Sequence, residues 1–432
     1  MSGPGIRYFH LATELARDAE VTLVAPGVGD LKIRNVETIS LPAGSWPTRV
    51  GGLSSYDAVV TRPLPFAARR WVTRAAQRVI YDLYVPILSE QLAALSVQRE
   101  HPAAEIFHRM AMLDVRHALT TGDAFICASE RQRDFWLGML ATLRRVEVSL
   151  YAADPTLRRL IDVVPFGIED EGSHDGSSVI RRTFPHIGAG DRVLLWGGGV
   201  WNWLDPVTPI RAVAKLAGRR DDVKLVFLAL RHPDVALASA AERAVTVAES
   251  LGVAGSHVFF NERWVDYDAR RAFLLEADIG VSAHYDTLET RYAYRARLLD
   301  YFWAGLPTVT TRGDVLGDLV HDRGLGASLA PEDVDGWVSA IERLLDDTDE
   351  RNRIGERLTR LRAELSWANA AAPLRRLVSA ESDRRRAVVA RGALEFESLA
   401  LRTEAAYSIG GARGAASRQL AKVRRRLRPR NE

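Results

Sequence analysis

The sequence predicts an α/β protein made of two consecutive doubly wound halves with a helical C-terminal extension. Short apolar segments that end at turn residues alternate with helical segments, as in a parallel sheet with crossover helices. The alternation occurs in two series, separated by the polar, glycine-containing stretch 169–178, which is typical of a linker. A length of 432 residues agrees with two to three domains.

The first series predicts a domain over residues 1–168. A helix over 3–17 opens on a Gly-Pro-Gly turn, and another helix begins near Glu130. The strands are predicted at 21–26, 36–41, 58–61, 79–82, 124–128 and 162–168. No residues precede the first helix to form the strand that normally enters a glycine-rich turn, so either the start of the sequence is assigned too late or this domain lacks its first strand.

The second series predicts a domain over residues 179–345. Its strands are predicted at 193–196, 224–230, 257–260, 278–282 and 307–310, and a closing helix at 331–345. Helices are expected over 346–385, and a helical, basic tail over 386–432. Two such halves place the expected ligand site in a cleft between them, at the carboxyl ends of the strands.

Composition and charge exclude several classes of protein. Apolar residues make up 47% of the chain and charged residues 26%, as in a folded globular protein. A single cysteine, Cys127, excludes a disulfide framework, and we expect a cytoplasmic location. Residues 411–432 carry eight basic groups against one acid, so the rest of the chain has a formal charge of −4 and the whole chain +3. An acidic body argues against a nucleic-acid partner.

The segment 288–309 carries charged side chains that suit a nucleotide. Arg297 and Asp300 lie three residues apart on a predicted helix and share a face, which offers a cation to a diphosphate and a carboxylate to a ribose. Glu289 lies near the helix start, where free amide groups favour an anion. The alternative is a solvated helix with salt bridges, which the charge pattern alone favours.

The glycine turn 197–199 is a second candidate, because it follows a buried strand and precedes a helix. Glycines let the backbone approach a phosphate, and the helix predicted to begin at Asp205 and Pro206 would attract its charge. The alternative is an ordinary strand-to-helix turn with tryptophans packed around it.

The order of these pieces resembles the family-4 retaining glycosyltransferases of the GT-B fold. The resemblance rests on 165–167, the glycine turn 197–199 and the motif 297–307, and it extends from residue 3 to about residue 377. It is most similar to members that build surface polysaccharide and O-antigen. It implies two Rossmann-like domains facing a cleft, a nucleotide-diphosphate-sugar donor, and a glycan or lipid-linked acceptor.

The resemblance also implies roles for individual residues. Asp300 would bind the nucleotide ribose, and Arg297 the donor phosphates. Gly198 and Gly199 would let the diphosphate approach the backbone, with Trp201 beside it in the donor site. The loop that closes over donor and acceptor would contain Gly3, Gly5 and Arg7.

Two departures from the family pattern shift these roles. Tyr292 stands where the family has the first glutamate of its E-x7-E motif, so Glu289 is the nearest acid that could contact the sugar. The basic residues that usually follow the glycine turn are absent. Phosphate neutralisation would therefore depend on Arg295 and Arg297, whose guanidinium groups can bind phosphate in a bidentate manner.

The implied reaction is front-face glycosyl transfer with retention, in which the protein positions the reactants and stabilises the departing diphosphate. The candidate catalytic residues are Glu289, Arg297 and Asp82. Asp82, at a strand end, could contact an acceptor hydroxyl or serve as a turn residue, and both interpretations stay open. No cofactor and no metal are expected, and His284 with Asp286 fits a surface loop better than a ligand pair.

The basic tail suggests that the protein binds to a membrane surface. Within 411–432, apolar residues fall at helical spacing between arginines, so the tail could lie on an anionic membrane at the inner face of the cell membrane. A disordered, solvated tail is the alternative. Two other functions remain open, namely a sugar-nucleotide epimerase of GT-B shape and a catalytically inactive, membrane-associated scaffold.

Overall fold

The computed structural model describes residues 3–28, 31–41, 55–65, 68–69, 72, 77–96, 104–169, 178–230, 239–263, 265–380 and 399–404. The chain forms two compact units. The first unit combines Met1–Val24, Val28–Thr38 and Val164–Ala372. The second unit combines Ala25–Gly27, Ile39–Val163 and Pro373–Glu432. The basic tail 411–432 lies outside the described residues, as does most of the predicted linker.

Strands form near each position predicted in the first series, and helices follow the fourth and the fifth strand. The strands are β1 (Val21–Ala25), β2 (Val36–Ser40), β3 (Val59–Thr61), β4 (Val79–Asp82), β5 (Ala124–Cys127) and β6 (Ile161–Val163). The helices are α1 (Gly3–Leu15), α2 (Ile87–Ser96), α3 (Ala104–Thr121), α4 (Glu130–Thr142) and α5 (Val148–Ala153). Four parallel strands form one sheet in the order β3-β4-β5-β6, and β1 pairs with β2 in a separate sheet.

The core of the second unit lies against its four-stranded sheet. Tyr81, Phe125 and Trp136 are almost fully buried there with aliphatic residues of α3 and α4. Cys127 is part of the same core, and burial raises the pKa of its thiol to about 12. The thiol is therefore protonated and inert, as predicted for a buried cysteine.

The second series forms a larger parallel sheet. Its strands are β7 (Arg192–Trp196), β8 (Val223–Phe227), β9 (Val258–Phe260), β10 (Ile279–Ser282), β11 (Thr308–Thr311) and β12 (Gly326–Leu329). The strand order is β12-β11-β10-β7-β8-β9, so the direction of chain progression reverses between β10 and β7. Such a reversal opens a crevice at the carboxyl ends of the strands, where ligands bind in open α/β sheets.

Ten helices of the described chain accompany this series. They are α6 (Val179–Thr183), α7 (Val207–Ala217), α8 (Ser239–Ser250), α9 (Arg270–Glu276), α10 (Leu288–Tyr292), α11 (Arg297–Ala304), α12 (Val315–Asp322), α13 (Val334–Asp346), α14 (Thr348–Glu364) and α15 (Trp367–Ser379). None of the described helices has the length and apolar character needed to cross a membrane.

The helix α1 belongs to the first unit because its arginine holds the chain that follows β6. Arg7 is fully buried and donates to the carbonyl oxygens of Val164 at 2.8 Å and Pro165 at 3.1 Å. Its guanidinium carbon also lies 5.2 Å from the ring centre of Phe166. The predicted strand 162–168 is therefore wrong beyond Val163, since these carbonyl groups bind a side chain instead of a neighbouring strand.

Candidate functional site

The donor-site residues predicted from the sequence gather in the first unit, at the carboxyl end of the six-stranded sheet. The glycine turn follows β7, and four residues separate the end of α10 from the start of α11. Gly198 has a φ of +91°, a conformation that other L-residues rarely adopt. The predicted continuous helix through this segment is wrong, because residues 293–296 separate α10 from α11.

Tyr301 of α11 fixes the glycine turn to the sheet. Its hydroxyl accepts a hydrogen bond from the amide of Gly197 at 2.8 Å and donates to the carbonyl oxygen of Val281 at 2.8 Å. The ring lies so close to β10 that a Cβ at Gly280 would come within 2.3 Å of it. The Tyr301 hydroxyl therefore connects the first amide of the glycine turn to β10.

Arg297 is a half-buried cation beside that turn. Its Nη2 donates to the carbonyl oxygen of Gly199 at 2.8 Å, and its guanidinium carbon lies 5.1 Å from the ring centre of Trp196. Its Nη1 is buried and forms no hydrogen bond within the described part of the chain. Burial lowers the pKa of Arg297 to about 10, so the group is still charged at neutral pH. A desolvated cation with an unused donor suits an anionic ligand such as a phosphate.

Asp300, one turn further along α11, forms an ion pair that leaves part of it exposed. Arg270 of α9 donates from Nε to Oδ2 at 3.3 Å and from Nη2 to Oδ1 at 3.1 Å. The Asp300 side chain is nevertheless 34% exposed, whereas that of Arg270 is 13% exposed. Its carboxylate can still accept hydrogen bonds from a ligand hydroxyl, since each oxygen has a second lone pair.

Arg295 and Glu289 bind each other. The two Nη atoms of Arg295 donate to the two carboxylate oxygens of Glu289 at 2.9 Å and 2.6 Å, and both side chains are more than nine-tenths buried. The chain turn between α10 and α11 brings the two residues face to face. The pair neutralises its own charge, so Arg297 is the predicted phosphate ligand without a carboxylate partner in the described ranges, although Arg295 Nε, like Arg297 Nη1, is buried without a hydrogen bond there.

His284 and Asp314 form a second buried pair, at the ends of β10 and β11. His284 Nε2 lies 3.0 Å from Asp314 Oδ2, and both side chains are fully buried, so the predicted surface loop is wrong at His284. Asp314 also accepts hydrogen bonds from the amides of Leu316 and Gly317 at the start of α12. Burial would raise the pKa of Asp314, but His284 and these amides lower it overall. No group of three potential metal ligands occurs in the described ranges.

Glu169 is a site residue that the sequence did not indicate. Its carboxylate lies 3.3 Å from His10 Nε2 and 3.3 Å from Arg270 Nη2, and it accepts hydrogen bonds from Tyr267 and Arg271. Burial would raise the pKa of Glu169, but these partners outweigh burial and hold the pKa well below its usual range. Arg270 therefore connects Glu169 to Asp300.

The surroundings of the glycine turn are aromatic. The rings of Trp201 and Trp203 stack with centres 5.7 Å apart and an interplanar angle of 9°. Asp205 accepts hydrogen bonds from the amides of Val207 at 3.0 Å and Thr208 at 3.2 Å, and the helix begins at Val207, one residue after the predicted first position Pro206. A half-exposed pair of indoles therefore follows the glycine turn.

The remaining predicted residues lie elsewhere. Gly3 and Gly5 form the first turn of α1 and are exposed and half-buried, respectively. Asp82 belongs to the second unit, is 2% exposed, and accepts a hydrogen bond from the amide of Tyr84 at 3.3 Å. This contact is that of a turn residue, and a role of Asp82 towards an acceptor stays a prediction.

The fold is that of the GT-B glycosyltransferases, with two Rossmann-like domains. No protein-family model and no curated protein sequence matches the chain, but solved structures do. One similar structure is WaaG, a glycosyltransferase involved in lipopolysaccharide biosynthesis, with a TM-score of 0.60 and 16% identity over 88% of this chain and 97% of WaaG. HepE from Anabaena, in complex with UDP and glucose, has a TM-score of 0.60 and 14% identity over 88% of this chain and 96% of HepE.

Sucrose-phosphate synthase from Thermosynechococcus elongatus is also similar, with a TM-score of 0.58 and 15% identity over 87% of this chain and 92% of the synthase. Identities this low establish the shared fold. The activity of the present chain has to be argued from its own site residues.

Proposed function

We propose that the protein is a glycosyltransferase that moves a sugar from a nucleotide-diphosphate-sugar donor to an acceptor hydroxyl. The observation that carries the proposal is the Nη1 of Arg297, a buried donor without a protein partner beside the glycine turn. The turn and the guanidinium together would cradle a diphosphate, and the exposed edge of Asp300 would accept hydrogen bonds from the ribose hydroxyls.

The proposed role of Arg297 is to stabilise the leaving group. When the bond between the sugar anomeric carbon and the diphosphate oxygen breaks, negative charge develops on the diphosphate, next to the guanidinium. Because Arg297 is held by Gly199 and Trp196, it needs little reorganisation to meet that charge. The acceptor oxygen then bonds to the anomeric carbon and its proton passes to the diphosphate.

Retention of configuration and an acceptor in cell-surface polysaccharide or glycolipid assembly are finer parts of the proposal. They rest on the resemblance of the 297–307 motif to family-4 enzymes. No cofactor is included, and the positive charge at the diphosphate would come from Arg297. A product of inverted anomeric configuration, observed by proton magnetic resonance, would disprove retention and leave glycosyl transfer intact.

Membrane association through the basic tail 411–432 is a further part of the proposal. Each basic residue near an anionic surface contributes about 1 kcal/mol, and the tail carries eight. Deleting 411–432 should abolish sedimentation with vesicles containing phosphatidylglycerol while UDP affinity is unchanged. Loss of both would show that the tail also supports the donor site.

To test the proposed function, the full-length protein is incubated with UDP-glucose or a related nucleotide sugar and with a mixture of polyprenyl-linked and soluble saccharide acceptors. The release of nucleoside diphosphate is then measured. We expect release of nucleoside diphosphate that depends on an acceptor. Conversion of the donor sugar without an acceptor would support the epimerase alternative. If the protein binds no nucleotide sugar, the proposed transferase activity is excluded and the catalytically inactive scaffold is supported.

A further inference from the structure

Arg270 is placed so that it acts on Asp300 rather than on a ligand. Its side chain is 13% exposed and every one of its guanidinium nitrogens has a protein partner. Nε and Nη2 bind the two oxygens of Asp300, and Nη1 donates to the carbonyl oxygen of Tyr267. Asp300, by contrast, keeps about a third of its surface exposed.

Arg270 is itself held on three sides. Its guanidinium carbon lies 3.4 Å from the ring centre of Tyr267, and its Nη2 lies 3.3 Å from Glu169 Oε1. Tyr267 also donates a hydrogen bond to Glu169, which receives Arg271 on its other oxygen. The guanidinium is therefore fixed by a cation–π contact, a carbonyl group and a carboxylate before it reaches Asp300.

We propose that Arg270 is a positioning residue for the donor site: it holds one edge of the Asp300 carboxylate so that the opposite edge is set for a vicinal diol. This inference rests on the proposed function, because the diol is the ribose of the nucleotide. A free aspartate can rotate about its terminal bond, and the two-point contact with Arg270 stops that rotation. The ribose then meets a carboxylate that is already oriented.

The expected effect is specific to the ribose hydroxyls. Arg270→Met frees the carboxylate, and the affinity for UDP should fall about 10-fold while the affinity for 2′,3′-dideoxyuridine diphosphate changes little. Arg270→Lys keeps the charge but donates from one nitrogen instead of two. Its affinity for UDP should therefore lie between those of the wild type and Arg270→Met. Arg271→Met is the matched control, since Arg271 binds Glu169 without touching Asp300.

The test is a calorimetric comparison of UDP with the dideoxy analogue, using the full-length wild type, these variants, Asp300→Asn, and the double variant Arg270→Met/Asp300→Asn. We expect the preference for UDP to disappear in Arg270→Met and to persist in Arg271→Met. The double variant should bind UDP no more weakly than Asp300→Asn alone, because both changes remove one interaction.

Two results would overturn the inference, and a third outcome bears on the proposed function instead. If Arg270→Met keeps the wild-type preference for UDP over the dideoxy analogue, Arg270 has no positioning role. If the effects of Arg270→Met and Asp300→Asn add in full, the two residues act independently. If the wild type binds neither nucleotide, the proposed function fails and the inference fails with it.

Discussion

The hydroxyl of Tyr301 lies 2.8 Å from the amide nitrogen of Gly197 and connects α11 to the glycine turn that follows β7. The same hydroxyl donates to Val281. Because both contacts are buried, a single oxygen on α11 determines where the backbone that would meet the diphosphate lies.

Removing that oxygen should loosen the turn. Tyr301→Phe keeps the ring but leaves the Gly197 amide and the Val281 carbonyl unsatisfied, so the free energy of unfolding should fall by about 1–3 kcal/mol. The affinity for UDP should fall as well. Urea denaturation and calorimetry measure the two effects, with Tyr151→Phe as control because Tyr151 is 55% exposed. Unchanged stability would show that the hydroxyl does not hold the turn.

We expect that Arg297 does not stabilise the fold but is necessary for the binding of UDP. Arg297→Met removes a half-buried charge whose Nη1 is a buried, unused donor, so the free energy of unfolding should not decrease. The affinity for UDP should fall by about 30-fold, or roughly 2 kcal/mol, because a charge-assisted contact is lost. Arg291→Met is the control, since Arg291 is exposed on α10. Equal UDP affinity for wild type and Arg297→Met would remove Arg297 from the site.

The pair of Arg295 and Glu289 should be more important for folding than for binding. Glu289→Ala leaves a buried guanidinium without its carboxylate and should cost about 3–5 kcal/mol. The double variant Glu289→Leu/Arg295→Leu should be destabilised less than Glu289→Ala, since no lone charge is left buried. Chemical denaturation measures these values.

An exposed ion pair provides the comparison for that prediction. Glu364 lies 3.3 Å from Arg323, and both side chains are more than half exposed. Glu364→Ala should therefore change the free energy of unfolding by less than about 1 kcal/mol. If Glu289→Ala is as stable as Glu364→Ala, the prediction that loss of one partner of the buried pair is strongly destabilising is wrong.

Glu169 should make stability depend on acidity. Its pKa is lower in the folded protein than in the unfolded chain, where a glutamate titrates near about 4.3. Its stabilising contribution is therefore complete above that pH and is lost as the pH falls towards the lower folded value. Thermal unfolding of wild type and Glu169→Gln should differ at pH 6 and converge towards pH 2.5. Glu356→Gln, at an exposed position on α14, should match the wild type throughout.

The strands and helix ends that the sequence predicts are those with local causes. Apolar runs gave the interior strands, and Gly305 ends α11 with a φ of +73°, as a helix-terminating glycine does. The start of α7 also has a local cause, because Asp205 accepts hydrogen bonds from two amides there. β12 was missed because Gly326–Leu329 is short and contains little apolar surface.

The contacts that shape the site have no local signal. Glu169 and Arg270 are 101 residues apart, and nothing near either one predicts the other. Glu289 and Arg295 are close in sequence, but a continuous helix was predicted there, and it would have hidden their pairing. The sequence therefore predicts which residues gather at the sheet edge, whereas the structure shows which of their charged side chains form ion pairs with one another.

The central claim is that the carboxyl end of the six-stranded sheet binds a nucleoside diphosphate, and titration of the full-length protein with UDP and with uridine tests it most directly. The account predicts saturable calorimetric binding of UDP, with uridine at least about 10-fold weaker because the contact with Arg297 is lost. Binding of neither compound, nor of any other nucleoside diphosphate or its sugar, would contradict the account.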